Sequence, residues 1–401
     1  MRKTFISTLL TLVAVTATCC TGTGGGNATA VATDTADTAA ADSGVTVTAE
    51  AAVTSAADSD GPLRLALVGD IMMGTTFPDS VDGTHLPEND GARLFDGCRH
   101  IFAGADVVCG NLEGTFLDGP GQRKPMKDPK YYYAFRTPVH YAGNLSDAGF
   151  SFMGVANNHI NDFGRDGIAS TLSALRDAGI GVAGLRRRCE FSVRRHGGLD
   201  VAFTQFGHSG GNLDIRDYGE LRRVLSAMRD TADIVVVAFH GGAEGPDFTH
   251  VPFDDEEYLG EKRGNVVEFA HAAVDAGADV VYGHGPHVPR AAEVYRGRII
   301  FYSLGNFCTP YRVSLAGIAG YAPVAEVRVA GDGSFLGGRI HSFVQRHGLG
   351  PQPDSACRAA TLMSSLSLRD FPASPLRIRS DGTLTVTTAD ATDAAPGAAA
   401  E

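Results

Sequence analysis

The chain has no tryptophan and no CxxC pair among its 401 residues, and its 34 lysines and arginines are outnumbered by 46 aspartates and glutamates. Each shortage excludes something. Without CxxC spacing, the seven cysteines indicate neither a zinc knuckle nor a dense disulfide framework. Cys98, Cys109, Cys189, Cys308 and Cys357 are expected to be buried free thiols. A formal net charge of −12 supplies no basic stripe for nucleic acid. The same charge repels an acidic polymer unless a local cationic site holds it. The apolar run at residues 5–15 is too short to span a bilayer. No internal repeat is present.

What is present begins with an export signature. Met1-Arg2-Lys3 is a positive start, an apolar stretch follows, and small residues lead into Cys19-Cys20. That pair resembles a bacterial lipobox, whose cysteine takes up lipid after cleavage. Residues 1–20 are therefore expected to be a signal peptide of lipoprotein type. This places the protein at the cell envelope, held to the membrane by a lipid anchor, with a secreted form as the alternative. Residues 21–61 are almost entirely Ala, Thr, Gly, Ser, Val and Asp, with no lysine or arginine between Lys3 and Arg64. Such a segment has too little bulky apolar surface to offset ordering entropy and reads as a disordered linker. Residues 388–401 read as a similar tail, which leaves 62–387 for the folded domain.

Within that domain, Val/Ile/Phe-rich runs at 63–68, 106–109, 151–155, 199–206, 233–239, 279–282 and 298–303 read as strands. Their nearly continuous apolarity predicts a sheet covered on both faces. Amphipathic stretches at 166–178, 219–231 and 256–276 read as helices, and from Val324 onward the pattern is strands and turns. The alternation predicts an α/β architecture.

The ends of these strands carry the chemistry. Gly69-Asp70, Gly110-Asn111-Leu112-Glu113, Asn157-Asn158-His159, His240-Gly241-Gly242-Ala243-Glu244, Gly283-His284-Gly285-Pro286-His287 and Gly305-Asn306 each follow an apolar run. Taken singly, each has an ordinary explanation: a Gly-Asp turn, an asparagine satisfying loop backbone, a histidine capping a helix. Six such endings at equivalent positions predict one shared site outside the carboxyl ends of the strands. Carboxylates, amide oxygens and imidazoles without thiolate suit one or two divalent ions, with Mn, Fe, Zn and Mg not distinguished. Such ions activate water for attack on a phosphoryl or acyl centre. Glu113 is the expected bridging carboxylate, and His159, after the candidate ligand Asn158, the expected proton donor.

Gly69-Asp70-Ile71-Met72-Met73-Gly74, the Asn111, Asn158-His159, His284/His287 and Asn306 segments together resemble the CapA family, named for poly-γ-glutamate capsule biosynthesis, whose domain is similar to calcineurin-like metallophosphoesterases. The resemblance implies a two-sheet sandwich flanked by helices, α/β/β/α. It implies Asp70, Glu113, Asn158, His240, His284 and His287 as metal residues, with His159 and Glu113 catalytic. Two departures stand out. Met72 occupies the place of a motif histidine, and His240-Gly241-Gly242 lacks the aromatic of a His-Trp-Gly pattern, which could widen the pocket. Asn111, Glu244 and Asn306 are expected to touch substrate. So are Lys124 and Lys127, in a basic loop that precedes Tyr131-Tyr132-Tyr133; a solvated loop is the plain alternative. The implied substrate is an anionic polymer or a phosphoester, with capsule-export proteins as partners. The function is either a metal-dependent hydrolase or a non-catalytic polymer-binding module that docks through its metal.

Overall fold

The computed structural model describes residues 47–49, 61–77, 85–125 and 133–387. The expected signal peptide, Cys19, Cys20, Lys127, most of the expected linker and the tail lie outside the described residues. Among the described residues no helix is long and apolar enough to cross a membrane, and all five cysteines are free thiols.

Period-two alternation generates the layers. Along Leu63–Ile71, Leu65 and Leu67 join a cluster with Phe203 and Val236, whereas Ala66 and Val68 join another with Leu172 and Leu175. Along Ile234–His240, Val236 and Ala238 enter the first cluster, while Val235, Val237 and Phe239 pack with Leu221, Leu225 and Ala270. Each fully buried Leu, Val or Phe among them contributes roughly 1.5–3 kcal/mol relative to exposure. Two sheets therefore face each other across the shared cluster. Gly164–Asp177 covers one outside, and Tyr218–Arg229 with Val266–Asp275 covers the other. The architecture is the expected α/β/β/α sandwich.

In the first sheet Leu63–Ile71, Val107–Leu112, Phe152–Gly154 and Gly181–Ala183 are parallel neighbours, and Val324–Val329 joins antiparallel beside Leu63–Ile71. In the second, Leu199–Gly207, Ile234–His240, Val280–His284 and Arg298–Phe301 are parallel, with antiparallel edges. The parallel strands of each sheet thus deliver their carboxyl ends together.

Three expectations need correction. The segment 256–264 is not helical: Glu256–Tyr258 and Glu261–Gly264 form a hairpin whose turn residues Leu259 and Gly260 have φ of 49° and 74°. Helical periodicity starts only at Val266, where Asn265 Oδ1 accepts from Glu268 N at 3.0 Å as the N-cap. Beyond Val324 the chain also contains a helix, Arg358–Asp370, whose buried face of Ala359, Ala360, Met363, Leu366 and Ser367 is built largely from small residues. Within the expected linker, Val47–Ala49 pairs in parallel with Phe191–Val193.

Candidate metal centre

The centre is the top of the inter-sheet core, where inward-facing positions change from apolar to polar without a break in alternation. Val107 and Cys109 are followed by Asn111, Val201 and Phe203 by Gln205, Val236 and Ala238 by His240, and Val280 and Tyr282 by His284. All four polar residues are buried.

Asp70 reaches the same space by an irregularity. Counting by twos from Leu65 and Leu67 would turn it outward, with Ala66 and Val68. The register instead runs Leu67 to Cys109 and Asp70 to Asn111, so two residues oppose one and the carboxylate turns inward. Gly69 makes this possible: a Cβ there would lie 1.9 Å from the Gly305 carbonyl oxygen, which accepts from Asp70 N at 2.9 Å.

The converging atoms are close. Candidate ligand atoms of Asp70, Glu113 and His287 all lie within 4.8 Å of one another. His287 Nδ1 is 3.0 Å from Asp70 Oδ2, and His240 Nε2 is 3.3 Å from Glu113 Oε1. His284 Nδ1 is 3.2 Å from Asp70 Oδ1 but is not aligned as a hydrogen bond. Burial opposes the Asp70 carboxylate, yet His284 and His287 outweigh it and hold its pKa far below the usual carboxylate range. Burial pushes Glu113 up to about 7, against the pull of His287. Burial also disfavours the His287 cation, but Glu113, Asp70 and Glu244 more than offset this and raise it to about 10.

These side chains fit a divalent ion. His284 Nδ1 and Nε2, His240 Nδ1 and Asn158 Oδ1 are buried without a hydrogen-bond partner among the described residues. Such an atom costs about 1–3 kcal/mol when left unpaired, and imidazole nitrogens and amide oxygens are metal donors. Asp70, Glu113, Asn158, His240, His284 and His287 would supply the donor set.

His159 has its own support. Its Nδ1 lies 2.7 Å from Asp162 Oδ2, which also accepts from Phe135 N at 2.7 Å. Asp162 Oδ1 is ion-paired with Lys124, so that lysine sits behind the histidine instead of free on an entry loop. Asn111 is likewise engaged: its Nδ2 donates to Asp70 Oδ1, and its Oδ1 accepts from Asn157 and Gln205, all at 2.9 Å. Its amide thereby positions the Asp70 carboxylate. Glu244 pairs with Arg263 at 2.8 Å and lies 3.9 Å from His287 Nε2. Asn306 donates to the His287 carbonyl at 3.2 Å and so braces that loop, where His287 itself has a φ of 58°.

The sequence also carries signals for three further residues of the site. His208 follows a strand and a glycine just as the other site residues do; it is buried, with its ring 5.6 Å from that of His240. Gln205 continues an inward alternation. Asp162 lies three residues after His159, a spacing that becomes contact only through the turn at 159–162.

The two departures also find their places. Met72 is buried and offers no donor of the histidine kind. Beside Gly241 a Cβ would lie 2.7 Å from Ile215 Cδ1 and 2.8 Å from the Arg263 carbonyl oxygen, so the missing aromatic does not widen the pocket.

Residues 64–311 match the family model described as "Bacterial capsule synthesis protein PGA_cap". The PGA biosynthesis protein CapA of Bacillus subtilis (strain 168) is 31% identical over 271 residues, 62% of this chain and 64% of that protein. The capsule biosynthesis protein CapA of Bacillus anthracis is 30% identical over 271 residues, 61% of this chain and 59% of that protein. The chain thus spans about three fifths of the length of these curated relatives. Among solved structures, the calcineurin-like phosphoesterase YfkN from Bacillus subtilis aligns at 12% identity with a TM-score of 0.42, covering 69% of this chain and 87% of that one.

Proposed function

The chain belongs to the PGA_cap family of bacterial capsule synthesis proteins, and from that membership we propose that it is a metal-dependent hydrolase-like protein acting on an anionic capsular polymer such as poly-γ-glutamate. One observation carries this: the Asp70, Glu113 and His287 cluster, with unpaired His284 and Asn158 atoms beside it, shares its site with a histidine that has a carboxylate of its own. A divalent ion, when bound, stabilises charge at a phosphoryl or acyl centre and activates water.

The chain's residues supply the remainder. With Asp162 accepting, the His159 Nδ1 carries the proton and Nε2 is the nitrogen that exchanges one with a leaving group. Asn111 fixes the Asp70 carboxylate, and Arg263 holds Glu244 beside His287. Phosphoester hydrolysis and amide cleavage or transfer are both compatible with this set. Met72 supports the second reading, a polymer-binding or export module that uses the metal for docking. The His159–Asp162 pair supports the first, because docking has no need of a proton donor.

The decisive experiment combines metal analysis of the purified protein with hydrolysis of a generic phosphodiester and of oligo-γ-glutamate. A folded protein that takes up no Mn, Fe, Zn or Mg on titration would sink the metal reading. Envelope anchoring is part of the proposal: replacing Cys19 and Cys20 with serine should release the protein from membranes, because a multi-chain lipid anchor dominates membrane affinity.

A further inference from the structure

Two segments that leave the metal centre, one after His159 and one after His208, diverge around a pocket of about 300 Å³. They are tied together where Asn161 Nδ2 donates to the Gly210 carbonyl at 2.9 Å. A third segment closes the wall, with Arg186 N donating to the Gly211 carbonyl at 3.0 Å. Arg165, Arg186 and Arg188 line this pocket together with Ile168 and Leu185.

Three guanidinium groups around one small pocket repel one another, and stability alone gives no reason to gather them. Only Arg186 is matched: its Nε and Nη2 reach the two carboxylate oxygens of Glu220 at 2.7 and 2.8 Å. Arg165 and Arg188 are exposed and form no ion pair with a described residue. The unpaired positive charge therefore faces solvent, on a protein of net charge −12. A long polyanion is repelled by such a surface in general and attracted here in particular.

We propose that this pocket is a polycarboxylate subsite, in which Arg165 and Arg188 hold a carboxylate of an acidic polymer chain next to the metal centre. The choice of ligand rests on the polymer reading of that centre; the pocket itself rests on the three arginines. Arg186, in the pocket wall, already grips the Glu220 carboxylate by the fork geometry that arginine favours. The volume is near the lower limit of small-molecule sites, roughly 300–1,000 Å³, which suits one or two polymer units and not a folded partner.

The test is binding of a short fluorescein-labelled oligo-γ-glutamate to the full chain, followed by anisotropy. Arg165→Ser with Arg188→Ser should raise Kd about five- to tenfold, and Arg188→Glu, an equal change in charge, should raise it by a similar factor. A control pair, Arg369→Ser with Arg379→Ser, removes the same charge from exposed positions elsewhere and should change Kd by less than about twofold. Equal loss in the control pair, or wild-type protein that does not bind the oligomer, overturns the subsite. Metal content measured on the same preparations separates the two ideas. Arginine-dependent binding by a protein that holds no metal keeps the subsite and removes the hydrolase reading. A metal-loaded protein whose oligomer binding ignores Arg165 and Arg188 does the reverse.

Discussion

Asp162 stands behind His159, its Oδ2 2.7 Å from the ring Nδ1 and its Oδ1 paired with Lys124. On the proposed function, the pair separates groups that would hold a metal from groups that would hold a proton. His159→Asn should therefore retain metal while turnover falls by about 10²–10⁴, the usual worth of a positioned general acid. Asp162→Asn should follow it in turnover, since an amide no longer fixes which ring nitrogen carries the proton. Metal stoichiometry and phosphodiester turnover on the same preparations check this; loss of metal from His159→Asn would make His159 a ligand.

The candidate ligands come from both sheets, Asp70 and Glu113 from one and His240 and His284 from the other. A bound ion should consequently brace the sandwich. At a metal concentration of about 100 times Kd the stabilisation is about 2.7 kcal/mol, which for a folded domain of this size predicts a fall in Tm of roughly 4 °C on adding a chelator. Glu113→Gln, with the centre already impaired, should lose most of this chelator response in a thermal melt.

Metal affinity should rise with pH. In the metal-free centre His287 is pushed up to about 10 and Glu113 up to about 7, so at neutral pH His287 holds a proton and Glu113 is partly protonated. Both must lose those protons to act as donors. Binding should thus release one to two protons per ion at neutral pH, and affinity should weaken as the solution is acidified from pH 10 downward. Calorimetry in buffers of different ionisation enthalpy counts the protons; proton uptake would contradict the assignment.

A substitution at a position with no ligand should disturb the centre from a distance. At Gly154 a Cβ would lie 1.4 Å from Gln205 Oε1, and Gln205 Nε2 donates to Asn111, which in turn holds Asp70. Gly154→Ala should cost about 1–3 kcal/mol and lower metal occupancy. Gln205→Ala should relieve part of that loss, so that a double-mutant cycle shows coupling of about 0.5–3 kcal/mol. Strict additivity would mean that the glycine acts through some other contact.

The strand ends were legible because a buried parallel strand announces itself by continuous apolarity, and a polar residue straight after it has few places to go. That logic located Asp70, Glu113, His240 and His284. It could not supply the extra residue between Leu67 and Asp70, since register belongs to the pairing with Val107–Leu112 and not to either strand alone. The hairpin at 256–264 was hidden because charged residues before a true helix extend its apparent periodicity, and the helix Arg358–Asp370 because Ala and Ser give little hydropathic contrast. Lys124 read as a surface cation; only folding brings Asp162, 38 positions later, against it.

The irregular register gives Leu63–Ile71 an unusual property with respect to chain length. Removing one residue from a buried strand ordinarily inverts the facing of everything beyond it. Here Gly69 is the supernumerary residue, and its deletion would join Leu67 and Val68 to Asp70 and Ile71 with the facing of all four preserved. What such a shortening takes away is the slot that admits the Gly305 carbonyl. Orientation of the Asp70 carboxylate and docking of the 304–306 segment are therefore separable, and a single deletion rather than any substitution is the change that would part them.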